Sequence, residues 1–263
     1  MNAAAQAAPV VGPRRVLHVE RCMGTVFTID IRDPGSWDPA IRAAVRLLRR
    51  ADAVFSTYRA DSDISRIRRG ELTAADADPS VAEVLRLCAR AEAETRGYFT
   101  ARWPGGTDPT GLVKGWAVEE ASRLLRAYGS AHHAVNGGGD VQVAGEAAPG
   151  RPWRVGIADP RDRTRTLTAV TGRDTAVATS GLTERGEHIV DPHTGRPPRG
   201  LASLTVVGPR LSCADAYATA AFAMGPAASR DWIESLDGYH AYAITETGET
   251  WQTSGFAAHI APG

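Results

Sequence analysis

Ala134-Val135-Asn136-Gly137-Gly138-Gly139-Asp140-Val141-Gln142-Val143 is the stretch on which the fold of this chain turns. Ala134-Val135 and Val141-Gln142-Val143 read as strands. The three adjacent glycines between them supply the backbone freedom needed for a sharp reversal or for close approach to a ligand. A reversal of that kind makes the two strands antiparallel neighbours. The stretch lacks the glycine spacing and the following helix of a dinucleotide fingerprint, so a doubly wound parallel sheet is not indicated. Asp140, at the exit, is placed to bond a sugar hydroxyl, a ring nitrogen or its own backbone.

Working outward, residues 112–128 have the length of a helix, closed by Gly129. Further strands are predicted at 26–31, 153–158, 167–171, 176–179 and 204–207. Helices are predicted at 38–53, where Asp38-Pro39 offers a cap and a first-turn proline, through 61–67 as a short turn, and at 79–95. Ser212 reads as the cap of a helix ending at Met224, where Gly225-Pro226 stops it, and Asp215 stands where it would close a capping box. A last helix at 227–236 precedes a hairpin that turns at Glu246-Thr247-Gly248-Glu249, while 98–109 reads as a loop. The order is neither a βαβ repeat nor all-β. It fits an α/β (α+β) fold, a largely antiparallel mixed sheet with covering helices.

The chain has 263 residues, 43% of them hydrophobic, enough for a full core. Residues 1–13 read as a loose tail and 14–263 as one domain, with no internal repeat or interdomain linker. Thirty basic residues against thirty acidic ones give no net charge, which removes long-range attraction to nucleic acid or anionic membrane. No stretch reaches the roughly 20 apolar residues that span a bilayer. Three scattered cysteines, no zinc-type pairing and no leader point to a reducing, cytoplasmic setting.

Four groups of residues carry candidate chemistry. Asp215 and Thr219 lie four apart on a small-residue helix, so their oxygens share one face and suit magnesium bound together with a phosphate. Asp108-Pro109-Thr110-Gly111-Leu112-Val113-Lys114-Gly115 places a helix start and a lysine together, an anion site without Walker A spacing. Histidine is the side-chain type that can titrate near neutral pH, so His188 is a candidate general base, and Asp191 is a candidate to orient it. Ser180 has no glycine-x-serine-x-glycine elbow and reads as a polar contact. Met23 and Tyr58 are of types that can sandwich a flat heterocycle, though both types more often pack cores.

In order, Met23-Gly24-Thr25-Val26-Phe27, Phe55-Ser56-Thr57-Tyr58, Gly111-Leu112-Val113-Lys114-Gly115-Trp116, Asn136-Gly137-Gly138-Gly139-Asp140, Ala178-Thr179-Ser180-Gly181, His188-Ile189-Val190-Asp191-Pro192-His193-Thr194-Gly195 and Ala214-Asp215-Ala216-Tyr217-Ala218-Thr219 resemble the motifs of the ApbE family, the FAD:protein FMN transferases. The resemblance implies a T-fold-like core and magnesium-dependent transfer of the FMN moiety of FAD to a threonine hydroxyl of an acceptor flavoprotein, with release of AMP. It further implies FAD contacts at Met23, Tyr58, Thr100, Ala101, Arg102, Asp108, Lys114, His188 and Ile189, and magnesium (Mg2+) ligands at the Gly111 carbonyl, Asp215 and Thr219. The stretch from Tyr98 to Asp108 is shorter than the family loop lining the flavin. Two other readings share the same phosphate site: an FAD pyrophosphatase giving FMN and AMP, and a noncatalytic FAD-binding protein.

Overall fold

A computed structural model describes residues 15–181 and 189–260 of the chain. The tail expected over residues 1–13 and the candidate base His188 lie outside the described residues.

The glycine stretch forms a two-residue hairpin. Strands β5 (His133–Gly137) and β6 (Asp140–Ala144) of the numbering below pair antiparallel, with Gly137 opposite Asp140. Gly138 and Gly139, at φ +63° and +104°, take the left-handed backbone that such a turn requires. Gly137 serves a different need, because a Cβ there would stand 2.6 Å from Phe27 Cε1 and 2.8 Å from Val118 Cγ2.

Before that hairpin come β1 (Val16–Cys22), β2 (Thr25–Ile31), α1 (Asp38–Phe55), α2 (Asp63–Arg68) and α3 (Pro79–Glu94). They are followed by β3 (Arg102–Trp103), β4 (Gly106–Thr107) and α4 (Thr110–Ala127). After it come β7 (Trp153–Ala158), β8 (Thr166–Gly172), β9 (Ala176–Gly181), β10 (Leu201–Gly208), α5 (Leu211–Met224), α6 (Pro226–Glu234), β11 (His240–Thr245) and β12 (Thr250–Gln252). Eight strands form one sheet in the order β1-β2-β5-β6-β9-β10-β11-β12. Every neighbouring pair in it is antiparallel.

Period-two alternation sorts the side chains to two faces. Along β9, Ala176 and Ala178 enter the main core under the helices, while Val177 joins Val207, Ile157, Val170 and Phe256 on the other face. The helical side is the larger core, where Phe27, Ile29 and Ile31 of β2 meet Leu48, Ala117 and Phe222. The β7–β8 hairpin covers part of the opposite face, and Trp153 packs there on Val141 and Val143. Among the described residues no helix is long and apolar enough to cross a membrane.

Two expectations are corrected, and one strand was not foreseen. Strand β1 carries no sequence signal of its own, because as a sheet edge it exposes Leu17 and Val19 and breaks its apolar run with His18, Glu20 and Arg21. The loop at 98–109 contains the short β3–β4 hairpin. Ser212 does not cap the helix: α5 begins at Leu211, and the Ser212 hydroxyl is a buried oxygen without a hydrogen-bond partner among the described residues. The capping box with Asp215 does not form. Instead Gln142 Oε1 accepts from the Leu211 amide at 3.1 Å, and Glu119 Oε2 accepts from the Ser212 amide at 2.9 Å. Residues from a strand and from α4 thus satisfy the start of α5 and release the Asp215 carboxylate for another task.

Candidate functional site

Helices α4 and α5 touch at Gly115. A Cβ on Gly115 would lie 2.7 Å from Asp215 Cβ and 2.8 Å from the Leu211 carbonyl, so only glycine permits this approach. The contact lets the Gly115 amide donate to Asp215 Oδ2 at 3.0 Å. Helix geometry assigns that same amide to the carbonyl of Gly111, four residues earlier. The bond therefore brings the Asp215 carboxylate to the first turns of α4, one helical turn from Gly111, whose carbonyl has a second lone pair.

Around this junction lies a cavity of about 580 Å3. Its polar lining includes Asp108, Gly111, Lys114, Ser180, Asp215 and Thr219. Phe99, Trp103, Ile189 and Val190 give the cavity apolar surface. Lys114 Nζ is ion-paired with Asp140 Oδ2 and stands 3.8 Å from Asp215 Oδ1. Both carboxylates are buried, Asp140 at 2% exposure and Asp215 at 6%. Asp140 Oδ1 accepts from the Thr179 amide at 3.0 Å, which fixes the carboxylate that holds the lysine. Thr219 Oγ1 meets Ser180 Oγ at 3.4 Å across the gap between α5 and β9. At the start of α4, Asp108 Oδ1 accepts from the amide and the hydroxyl of Thr110, at 3.0 and 2.6 Å.

Two irregular segments are tied together beside the cavity. His193 Nε2 lies 3.1 Å from the Arg96 carbonyl, and the His193 ring packs edge-on to Tyr98 at 4.5 Å between centroids. Arg96 takes φ +55°, a left-handed turn that ends α3 and leads into the cavity-lining residues from Tyr98 onward.

Of the residues singled out from sequence, Thr100, Asp108, Gly111, Lys114, Ile189, Asp215 and Thr219 line this cavity together. Five others do not. Met23, in the turn between β1 and β2 at φ +50°, packs half-buried against the core, and its neighbours Gly24 and Thr25 face the cavity instead. Tyr58 is 97% exposed. Ala101 is buried, with its carbonyl accepting from the Asp108 amide at 2.8 Å. Arg102 turns its guanidinium to Glu92 at 2.6 Å. The Asp191 carboxylate is engaged in its own turn, where Oδ1 accepts from the His193 amide and Oδ2 from the Thr194 hydroxyl, both at 2.9 Å. His188, which Asp191 was expected to orient, lies outside the described residues.

The donor set suits a hard divalent cation. Gly111, Asp215 and Thr219 line the same cavity, and a carbonyl, a carboxylate and a hydroxyl are oxygen donors of the kind that magnesium takes and zinc does not favour. Among the described residues no group of three His, Cys, Asp or Glu side chains would hold a metal by itself. A magnesium ion here would have to draw on backbone, hydroxyl, water and phosphate oxygens as well.

Sequence reasoning passed over Glu119 and Gln142, which support α5, and Phe99 and Trp103, which wall the cavity. Gln142 left a trace as a polar residue between Val141 and Val143 in an otherwise apolar strand. Glu119 follows Gly115 by one helical turn and so shares its face toward α5.

The model of the ApbE family matches residues 23–103 and 106–243. The FAD:protein FMN transferase of Escherichia coli (strain K12) is 31% identical over 156 residues, covering 56% of this chain and 44% of that protein. The chain thus spans about half the length of the first curated relatives it matches. The FAD:protein FMN transferase of Vibrio cholerae is 27% identical over 265 residues, covering 77% and 79% of the two chains. Among solved structures, a flavin transferase ApbE from Vibrio cholerae superposes with a TM-score of 0.82 at 22% identity over 94% of this chain and 99% of that one. The ApbE protein of Thermotoga maritima gives 0.84 at 21% identity over 95% and 100%. These structures share the fold, a largely antiparallel sheet with flanking helices.

Proposed function

The chain belongs to the ApbE family, and we propose that it transfers the FMN moiety of FAD to a threonine hydroxyl of an acceptor flavoprotein, with magnesium, releasing AMP. The observation that carries this reading is the single cavity in which Gly111, Lys114, Asp215 and Thr219 share space with Phe99, Trp103, Ile189 and Val190. FAD has the same duality, a flat ring system joined to a charged diphosphate, and curated relatives carry the matching activity in their names.

In this reaction the phosphoanhydride bond between FMN and AMP breaks, a bond forms from the threonine Oγ to the FMN phosphorus, and the hydroxyl proton passes to a base. Lys114 contributes positive charge beside the diphosphate, and Asp140 holds its ammonium in place. Gly111, Asp215 and Thr219 are the residues that would hold magnesium. When bound, the metal offsets charge on the phosphoryl oxygens and on the departing AMP. The close wall of α4 against α5 limits how far the Asp215 carboxylate can swing, so it is oriented before substrate arrives. His188 is the base in this proposal, with Asp191 to orient it.

The test is product analysis. The protein is incubated with FAD, magnesium and a threonine-bearing acceptor, and AMP and acceptor mass are followed together. Transfer predicts equal amounts of AMP and FMN-modified acceptor, lost in Asp215→Ala. FMN and AMP with an unchanged acceptor would replace transfer by hydrolysis, and FAD binding without AMP would remove catalysis altogether.

A further inference from the structure

His193 joins two distant parts of the chain beside the cavity, and the proposed chemistry gives it no part. Its Nε2 stands 3.1 Å from the carbonyl of Arg96, 97 residues away in sequence. A carbonyl oxygen only accepts, so Nε2 carries the hydrogen of this bond. The same ring meets Tyr98 edge-on, at 4.5 Å between centroids. Between these two partners lies Gly97, at φ +83°, where a Cβ would stand 3.3 Å from His193 Cε1. Arg96 itself, at φ +55°, holds a left-handed conformation that is unfavourable for a residue with a side chain. The turn thus accepts strain at Arg96 and has no side chain at Gly97, where the histidine approaches.

Each side of this contact is braced and leads directly to cavity-lining residues. On one side the Gly97 amide donates to the Glu92 carbonyl at 2.8 Å, and the Phe99 amide donates to Thr95 Oγ1 at 3.0 Å. Both bonds fix the turn to the end of α3, and Tyr98 and Phe99 line the cavity from it. Phe99 in turn packs on Gly111, where a Cβ would stand 3.3 Å from Phe99 Cε2. On the other side, Asp191 Oδ1 accepts from the His193 amide at 2.9 Å and the Asp191 carbonyl accepts from the Gly195 amide at 2.8 Å. Ile189 and Val190 line the cavity just before that turn. We infer that His193 is a positioning residue for the flavin ring, a clasp that sets how Tyr98 and Phe99 stand relative to Ile189 and Val190. The inference rests on the transferase reading for the identity of the ring and on the observed contacts for the clasp.

The experiment titrates FAD into the full chain without acceptor or magnesium, so that no turnover is needed. Affinity is read from flavin fluorescence, and the setting of the ring from the visible circular dichroism of the bound flavin at saturation. His193 is exposed, so His193→Ala leaves the core untouched. It weakens FAD binding by ~5–10-fold, through loss of one hydrogen bond and one ring contact, and diminishes the dichroism. His193→Gln, whose amide can reach the same carbonyl, recovers affinity to within ~3-fold of the parent. Gly97→Ala, which disturbs the contact from its other side, also weakens binding but adds less than ~2-fold on top of His193→Ala, because both changes act on one interaction. Affinity and dichroism unchanged in His193→Ala, a glutamine variant no better than alanine, or full additivity with Gly97→Ala overturns the assignment. A lowered Tm with unaltered dichroism gives His193 a purely structural role and overturns it too. AMP release is followed separately with magnesium. Its absence from a parent that shows the ring effects overturns the transferase reading and leaves the clasp standing, whereas AMP release with no effect of His193→Ala overturns the clasp alone.

Discussion

Gly115→Ala isolates the junction that holds the candidate site together. The added methyl would stand 2.7 Å from Asp215 Cβ, 2.8 Å from the Leu211 carbonyl oxygen and 3.0 Å from Asp215 Oδ2. Carbon atoms settle at about 3.5–4.0 Å, so α4 and α5 must part by about 1 Å. Overpacking of that kind costs ~1–3 kcal/mol. Stretching the amide bond to the Asp215 carboxylate adds ~1.5 kcal/mol or more. Alanine returns ~1 kcal/mol of helix propensity. The net expectation is a loss of ~2–3 kcal/mol, a drop in Tm of ~5–10 °C for a domain of this size. Misplacing a reacting group by about 1 Å costs on the order of 100-fold in rate. Urea unfolding gives the first quantity. AMP release from FAD, measured well below the lowered Tm across a magnesium titration, gives the second. A variant as stable as the parent with unchanged turnover would refute the claim that this close approach positions Asp215.

Further outcomes follow from the same geometry. Glu119→Ala strips the acceptor from the Ser212 amide and the partner from Arg210, so it costs ~1–2 kcal/mol in urea unfolding and raises the magnesium concentration needed for half-maximal turnover. Asp140→Asn removes the charged partner of Lys114, and AMP release falls by at least ~10-fold while thermal stability moves little, because the amide still accepts from Thr179. His133, fully buried between the Ser122 and Ser130 hydroxyls, has its pKa pushed down to about 4 by burial. Unfolded chain then binds the proton first as pH falls below about 6.5, so stability is present above that value and is lost toward about pH 4. From about pH 7 to about pH 5 the loss due to this group is ~2 kcal/mol, and His133→Asn flattens that slope in urea midpoints.

The antiparallel hairpin at the glycine stretch was legible because a turn needs local chemistry that the residues themselves display. Helix limits followed from Pro39, Pro79, Gly129 and Gly225 for the same reason. Strand β1 was silent because an edge strand need not be apolar on either face. The Asp215–Thr219 face was legible from helical spacing, and Lys114 from its place near a helix start. What sequence could not display were contacts between elements. Glu119 and Gln142 serve α5 from α4 and β6, and so displace the local cap expected at Ser212. Asp191 looked like a partner for a histidine three residues away; its carboxylate also bonds within its own turn, and that histidine lies outside the described residues. Met23 and Tyr58 are of types that stack on rings, but residue type says nothing about which way a side chain leaves a turn.

The most direct test of the central claim, that separated parts of the chain meet to hold a cation against the flavin dinucleotide, is a crystal structure with FAD and manganese in place of magnesium. The account predicts an anomalous peak bonded to Asp215, Thr219 and the Gly111 carbonyl, touching the FAD diphosphate near Lys114. Ordered FAD whose diphosphate lies elsewhere, with no metal at Asp215, would contradict it.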